Sequence, residues 1–311
     1  MNLLALALAL VSQVVFTFAD PAIEESSGLV DLGGLMVTTN DSGDDALLYV
    51  VDPATGRTVG RTAYARAVLD VEALAPAGDG EVWAADIGDN GSTRTSVTVY
   101  RVPVGRGEKR VDAPAYRLVY PDGPHDAESL VQGGGRLYVI SKEIFGGTVY
   151  AAPPHLDPAG ENRLTAVGRV GLFATDAALF GDGRHVLVRG YGSAEIRTFP
   201  DFRRVAGFAL PDQEQGEGVS IGPGDRIRLS SEGAHSAVLQ VELPDTVRAR
   251  MDARPTSSPT PSPTATPSIA PEEGRLPPMT TSSSPGPTLA IGAVLLVLLG
   301  VGAWSRRRRR R

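Results

Sequence analysis

Short runs of alternating apolar and polar residues recur along residues 25–243, a pattern that predicts many short β-strands. Each repeating unit opens on two polar or acidic positions two residues apart, with an apolar residue two places later. A glycine-rich turn, an apolar strand with a polar end and a second strand follow. The five diverged copies of this opening are Glu25-Ser27-Leu29, Asp70-Glu72-Leu74, Asp126-Glu128-Leu130, Asp176-Ala178-Phe180 and Gln215-Glu217-Val219.

The spacing of these copies predicts the architecture. Their middle positions lie 45, 56, 50 and 39 residues apart, and such periods with several strands per unit are typical of propeller blades. We therefore predict an all-β fold, a β-propeller of five blades, with six blades as the alternative. Fourth strands are expected at 57–65, 115–120, 163–170 and 205–210. No such strand follows the last copy, so residues 20–24 are expected to close the ring.

Composition and charge narrow the function. The 311 residues include 36 glycines and 24 prolines but no cysteine, which excludes disulfides and thiolate metal sites. The formal net charge is −6, or −12 without the six arginines at the C-terminus. Such an acidic chain argues against nucleic acid and favours cations or cationic partners. Neither a phosphate-binding P-loop nor a dinucleotide fingerprint, GxSxG or HExxH motif occurs.

The two ends of the chain predict export and anchoring. Residues 1–19 are almost wholly apolar and predict a signal peptide, with an uncleaved anchor as the alternative. Residues 20–254 would form the propeller, and the Pro/Ser/Thr-rich residues 255–287 an extended linker. Residues 288–304 form an apolar run that predicts a single transmembrane helix, and the arginine-rich residues 305–311 a cytoplasmic tail. We expect a single-pass protein of the cell membrane whose N-terminal domain is extracytoplasmic.

The opening motif carries the candidate chemistry. We expect it at the start of each innermost strand, close to the polar ends of the next strands. The converging loops would then hold a ring of carboxylates around the axis. Crowded like charges raise one another's pKa or require a cation, and carboxylate oxygens suit calcium. The alternative is that these acids accept backbone N–H bonds in turns and only fix the geometry of the blades. The acidic loops at 40–45 and 86–91 allow the same two interpretations.

Several stretches resemble a family of exported bacterial β-propellers, phytase-like or uncharacterised proteins of actinobacteria. They are ESSGL (25–29), NDSG (40–43), DVEALA (70–75), DIGDN (86–90), HDAESL (125–130) and QGEGVS (215–220). The resemblance implies a propeller, an extracytoplasmic location and calcium, which β-propeller phytases use to bind and hydrolyse phosphate esters. It implies an acidic metal site at Asp41, Asp70, Glu72, Asp86, Asp89, Asp126, Glu128, Glu217 and Glu232.

The same resemblance implies that Lys142 and Arg189 contact substrate phosphate. The chain departs from the pattern at Ala178, where a second carboxylate is missing from the fourth copy, and in its few basic residues. Apart from the resemblance, His125 beside Asp126 is a candidate general base, and a surface loop histidine is the other interpretation. The candidate catalytic residues are His125, Asp126, Glu128, Lys142 and Arg189.

Two functions remain open from the sequence. One is a surface-displayed module that binds a ligand, glycan or protein, with calcium as a stabilising ion. The other is a calcium-dependent hydrolase acting on phosphate esters. The absence of a recognisable nucleophile and the scarcity of basic residues favour the binding module.

Overall fold

A computed structural model describes residues 12–41 and 45–253 of the protein. Within them, the chain forms short strands and one short helix. The elements, in chain order, are β1 (Ser12–Thr17), β2 (Ser26–Asp31), β3 (Met36–Asn40), β4 (Leu47–Asp52), β5 (Arg57–Ala63), β6 (Val71–Gly78), β7 (Glu81–Asp86), β8 (Val97–Pro103), β9 (Gly107–Arg110), β10 (Ala115–Val119), β11 (Ala127–Gly133), β12 (Arg136–Ser141), β13 (Thr148–Ala151), β14 (Glu161–Arg163), β15 (Thr165–Arg169), β16 (Asp176–Leu179), β17 (His185–Arg189), β18 (Ser193–Thr198), β19 (Arg204–Ala209), β20 (Gly216–Gly222), β21 (Arg226–Ser231), β22 (Ala237–Val241) and α1 (Asp245–Asp252).

Twenty of the described strands form five four-stranded antiparallel blades, one for each copy of the repeat. Blade 1 is β2-β3-β4-β5, blade 2 is β6-β7-β8-β10, blade 3 is β11-β12-β13-β15, blade 4 is β16-β17-β18-β19 and blade 5 is β20-β21-β22-β1. The inner strands β2, β6, β11, β16 and β20 pack against one another in a closed ring. The prediction of a five-bladed propeller is confirmed, and the six-bladed alternative is excluded.

The core lies between the blades. Five clusters of buried apolar side chains each join one blade to the next, as where Val50 of blade 1 packs with Val82 of blade 2. Burying one such side chain contributes about 1.5–3 kcal/mol. The alternating pattern therefore has one physical cause: each blade presents apolar residues to both of its neighbours. The short strands β9 and β14 pair in parallel with the outer strands β5 and β10.

The ring is closed by a segment different from the one predicted. Residues 20–24 form a turn, because the Asp20 side chain and carbonyl accept bonds from Ala22 and Ile23 and Pro21 has no N–H. Instead, β1 pairs antiparallel with β22, from Ser12 opposite Val241 to Thr17 opposite Ala237. Its neighbouring rings Phe16 and Phe18 are buried between blades 5 and 1. Residues 12–17, which lie within the segment predicted as a signal peptide, therefore complete blade 5.

The described residues contain no helix that is both long and apolar enough to cross a membrane. The predicted linker at 255–287, the transmembrane helix at 288–304 and the tail at 305–311 lie outside the described residues. So do residues 1–11 of the predicted signal peptide. These assignments stay predictions.

Candidate metal centre

One structural device repeats at the start of four inner strands. In blades 1, 2, 3 and 5 the pairing of the inner strand with its neighbour shifts by one residue after the first pair. The shift leaves one residue unpaired in a β-bulge, which re-aims its side chain. The bulge contains Ser27 in blade 1, Glu72 in blade 2 and Glu128 in blade 3, and in blade 5 it spans Glu217 and Gly218. The bulged side chains Ser27, Glu72, Glu128 and Glu217 occupy the middle positions of the repeated motif, and all four are buried.

The bulged residues form a layer near what we call the front face, the end of the ring at which the inner strands begin. Behind this layer, all five inner strands line an axial cavity of about 40 Å³. Its walls include the apolar third positions Leu29, Leu74, Leu130 and Val219. The sequence thus builds a largely apolar floor beneath a layer of three glutamates and a serine, and burial against this floor removes water from the glutamates.

Three carboxylates meet between blades 1 and 2. Asp41 follows β3, Asp70 precedes β6 and Glu72 is the bulged residue of β6; one oxygen of each lies within 4.8 Å of the others. The Ser27 hydroxyl donates to Glu72 Oε2 at 2.9 Å and orients it. Buried Asp70 Oδ1 accepts no hydrogen bond from the described residues. We call Asp41, Asp70 and Glu72 the carboxylate cluster. Its oxygens are the donors that hard cations such as calcium prefer.

The electrostatics of the cluster favour a cation. Burial, with the charge and hydrogen bond of Asp41, raises the pKa of Asp70 to about 7. Burial, followed by the charges of Asp41 and Glu128, holds the pKa of Glu72 well above its usual range. Carboxyl groups in this state either keep protons at neutral pH or exchange them for a cation.

Lys142 supplies part of the positive charge. Its ammonium group pairs with Glu128, whose other oxygen, Oε2, is buried without a hydrogen-bond partner among the described residues. The Lys142 Nζ lies 3.2 Å from the Tyr191 hydroxyl and 5.0 Å from the centre of the Phe173 ring. Burial lowers the pKa of Lys142, but the nearby charges of Glu128 and Glu217 outweigh it and raise this pKa above the usual range. Lys142 is therefore charged at neutral pH, and its charge is already paired with the Glu128 carboxylate.

Blade 5 adds two more carboxylates. Gln215 donates to both Glu217 Oε1 and Glu232 Oε1. Burial raises the pKa of Glu217. Burial also raises the pKa of Glu232 to about 8, and the charges of Glu217 and Asp41 add to this effect. The second oxygen of Glu217, Oε2, is buried and accepts no hydrogen bond from the described residues. The acidic side chains of blades 1, 2, 3 and 5 therefore share one field, which Lys142 only partly neutralises.

The DIGDN stretch has a structural role next to this field. Asp86 accepts bonds from the N–H groups of Leu69 and Asp70 and pairs with Arg94 at 2.8 Å. Asp89 accepts the N–H of Arg94 at 2.7 Å. Both carboxylates are thus engaged in fixing loops, the interpretation that the sequence left as the alternative to a cation loop.

Gly88, in the middle of the same stretch, lets the loop lie against the cluster. A Cβ at this position would come within 2.5 Å of the Asp70 carboxylate and 2.8 Å of the Glu72 side chain. Any other residue would displace either the loop or these two side chains, which explains a glycine between the two aspartates.

The candidate base His125 contacts other partners than the predicted one. His125 Nε2 lies 3.0 Å from Asp122 Oδ1 and 2.8 Å from the Tyr150 hydroxyl. Its neighbour Asp126 accepts the N–H of Asp89 at 2.8 Å, and burial raises the pKa of Asp126. The structure shows no hydrogen bond between His125 and Asp126, so the predicted pairing of the two finds no support.

Arg189 also does not lie where contact with a substrate phosphate would require it. Its side chain is fully buried and donates to Gly218 O at 2.9 Å, Ser230 O at 3.3 Å and Gln213 Oε1 at 3.1 Å. Burial lowers its pKa to about 10, so it stays charged at neutral pH. Arg189 joins blade 4 to blade 5 and presents no guanidinium to a phosphate at the front face.

Some residues that shape the site were not singled out by the sequence. Tyr191 and Phe173 pack against Lys142, Gln215 bridges two glutamates and Arg94 neutralises Asp86. Only Gln215 carried a signal, since it occupies the first position of the repeated motif. The aromatic pair lies in loops of blade 4 outside the repeat pattern.

No protein-family model matches the chain, and no curated protein is significantly similar in sequence. Among solved structures, the PQQ-bound aldose sugar dehydrogenase of Streptomyces coelicolor is similar at 13% identity and a TM-score of 0.47, over 75% of this chain and 98% of that one.

Two further structures are similar to the same degree. The glutaminyl cyclase of Myxococcus xanthus has 14% identity and a TM-score of 0.46, over 75% of this chain and 98% of its own. A glucose dehydrogenase has 12% identity and a TM-score of 0.47, over 75% of this chain and 100% of its own. At such values the similarity says nothing about the ligand or reaction of this chain.

Proposed function

We propose that this protein is a binding module whose front face holds a hard divalent cation, of which calcium is the representative, at the carboxylate cluster. One observation carries the proposal: Asp41, Asp70 and Glu72 bring one oxygen each within 4.8 Å of one another, and a buried oxygen of Asp70 accepts no hydrogen bond from the described residues. Burying several carboxylates is unfavourable unless they are paired or hold a metal ion. With only oxygen donors in the cluster, a hard ion fits better than zinc or copper.

The rim around this centre suits a partner or ligand. Large apolar side chains at the front face point into solvent: Phe145 is 95% exposed, Leu69 68%, Ile144 61% and Tyr191 40%. Exposed apolar groups around a polar centre are typical of interaction sites. The bound ion would neutralise the acidic centre, and the rim would contribute apolar contact with a ligand, glycan or protein.

The proposal includes display outside the cell on a membrane anchor. It is supported by the sequence alone, through the apolar run at 288–304, the arginines that follow it and the Pro/Ser/Thr-rich segment before it. Extracellular fluids commonly contain enough calcium for weak sites, whose dissociation constants are roughly 10⁻⁴–10⁻³ M.

Calcium titration of the metal-stripped protein by isothermal calorimetry tests the proposal. We expect saturable binding, and Asp70→Asn should weaken it about tenfold or more, because one charged ligand is worth about 1.5–3 kcal/mol. Asp201→Asn is the matched control, since Asp201 pairs with Arg203 on the opposite face. Absence of saturable binding, or an equal loss in both variants, would refute the metal centre.

Phosphate-ester hydrolysis is the second candidate. The observation that favours it is Lys142, a cation within the same field of carboxylates. A generic phosphomonoester incubated with the calcium-loaded protein distinguishes the two functions. The binding module predicts no turnover, whereas turnover that is lost in Glu128→Gln would establish the hydrolase.

A further inference from the structure

A second cavity lies between blades 2 and 3, away from the carboxylate cluster. It has a volume of about 230 Å³ and opens near the turn between β11 and β12. Because β11 begins at the front face and reaches Gln132 at this cavity, the cavity lies at the end of the inner strands opposite to the carboxylate cluster. The cavity is therefore independent of the proposed metal centre.

Two aromatic rings form one side of this cavity. Trp83 and Tyr116 of blade 2 are half-buried and pack on the apolar cluster between blades 2 and 3. Their ring centres lie 5.6 Å apart in an edge-to-face arrangement with an interplanar angle of 62°. Such contacts hold the rings in place, so the cavity offers a fixed aromatic wall.

The opposite side carries an arginine without a carboxylate partner. Arg136 Nε donates to Ala152 O at 3.0 Å, which orients the guanidinium group. None of the described carboxylates forms an ion pair with Arg136, whereas Arg101 of blade 2 pairs with Glu81 at 2.6 Å. The lining contains no Asp or Glu, although the chain as a whole is acidic. The guanidinium group therefore keeps donors for an anion, most effectively a carboxylate that it can bind with two parallel bonds.

We infer that this cavity binds a sugar ring that carries a carboxylate. The apolar face of the ring would lie on the Trp83 and Tyr116 wall, and its carboxylate would meet Arg136. Gln132 and His155, which also line the cavity, supply groups that can bond to hydroxyls. The volume is below the roughly 300–1,000 Å³ of pockets for drug-sized ligands, which fits a single ring better than a larger compound.

Tryptophan fluorescence of the full-length protein tests this inference. The chain has two tryptophans, so in a Trp304→Phe background Trp83 is the sole reporter. The probes are glucuronate, glucose as the uncharged sugar and benzoate as a carboxylate on a flat ring. We expect a saturable change in Trp83 emission with glucuronate, and binding at least about tenfold weaker for the other two probes. Glucose lacks the carboxylate that Arg136 would bind, and benzoate lacks the hydroxyls that Gln132 and His155 would bind.

Variants separate the role of Arg136 from an effect on folding. Arg136→Gln should weaken glucuronate binding at least about tenfold, while Arg184→Gln, at an exposed arginine beside the equivalent strand of blade 4, should leave it unchanged. Since Arg136→Gln also loses the bond to Ala152, circular dichroism checks its fold, and His155→Ala at the exposed rim should weaken binding with that bond intact. Absence of saturable binding, equal affinity for glucose, preference for benzoate or unchanged binding in Arg136→Gln would each overturn the inference.

Discussion

Blades 2 and 4 both carry an aspartate at the start of the inner strand but use it in opposite ways. In blade 2, Asp70 lies before the first strand pair, near Asp41, and one of its buried oxygens accepts no hydrogen bond from the described residues. In blade 4, Asp176 belongs to the first pair, opposite Arg189. Its carboxylate is fully buried and accepts the N–H groups of Val219 at 2.7 Å and Ala177 at 2.8 Å.

The absence of one residue from the inner strand of blade 4 accounts for this difference. Blade 4 lacks the bulge, since its inner strand pairs from Asp176 onward without a shift. The bulged residue Glu72 therefore has no counterpart there, and Ala178 occupies the register position of Leu74, beside the apolar cavity. The expectation that Ala178 replaces a carboxylate was wrong: the position itself is missing. Blades 1, 2, 3 and 5 each place a side chain in the front layer. Blade 4 instead uses Asp176 to hold blade 5.

The largest expected effect comes from removing the structural aspartate. Asp176→Ala leaves the buried N–H groups of Val219 and Ala177 without acceptors, each at a cost of about 1–3 kcal/mol. We expect the free energy of unfolding to fall by about 3 kcal/mol, measured by urea denaturation, and to fall equally with calcium and with chelator. A loss seen only with calcium would mean that Asp176 takes part in the metal centre.

A glutamate at Ala178 tests the register of blade 4. Ala178 lies beside the apolar cavity and packs on the cluster between blades 4 and 5. Ala178→Glu should therefore lower the free energy of unfolding by roughly 2 kcal/mol, because it buries a carboxylate without a partner. Calcium affinity should not increase. A tolerated substitution that strengthens calcium binding would show that Ala178 does occupy the place of a lost ligand.

Replacing the aspartate of blade 2 is expected to stabilise the protein when no metal is bound. Asp70→Asn removes a charge that the neighbouring carboxylates oppose, so the metal-free protein should gain on the order of 1 kcal/mol at pH 8. Urea denaturation in chelator, beside Asp176→Ala under the same conditions, measures the contrast directly. If both substitutions destabilise the metal-free protein, the two aspartates have the same structural role.

A further expected effect is the dependence of stability on pH. The pKa values of Asp70 and Glu232 are raised to about 7 and about 8, so the folded state keeps protons that the unfolded state has released. Stability of the metal-free protein should therefore fall as pH rises from about 4 to about 8. Calcium should lessen the fall because it replaces these protons. Denaturation at pH 5 and pH 8 measures this slope, and a rise over that window in chelator would contradict it.

The sequence predicted much of the fold because blade strands follow a simple physical rule. Each blade contacts two neighbours, so alternating apolar residues mark its strands, and the predicted fourth strands of blades 1 to 4 agree with β5, β10, β15 and β19. The closing strand β1 was missed. Its apolar residues belong to a run that also suits a signal peptide, so the sequence pattern alone did not mark them as a strand, and the pairing with β22 became visible only in the structure.

The site was harder to predict than the fold. Spacing alone cannot detect a missing bulge, because Asp176 and Ala178 keep the two-residue interval of the other copies. Nor can it tell an aspartate that caps a loop, such as Asp86, from one that remains open to a cation, such as Asp70. That distinction depends on which backbone N–H groups lie nearby, and these come from segments distant in the sequence.

The most direct test of the metal centre is thermal unfolding of the metal-stripped protein across a series of calcium concentrations. An ion that binds only the folded state stabilises it by about 2.7 kcal/mol at 100 times its dissociation constant, which for a domain of this size is a rise in Tm of roughly 5–10 °C. We predict this rise for the natural chain and for Asp201→Asn, and its near loss in Asp70→Asn. A Tm that does not change with calcium in the natural chain would show that the carboxylates at the front of the propeller serve its geometry alone.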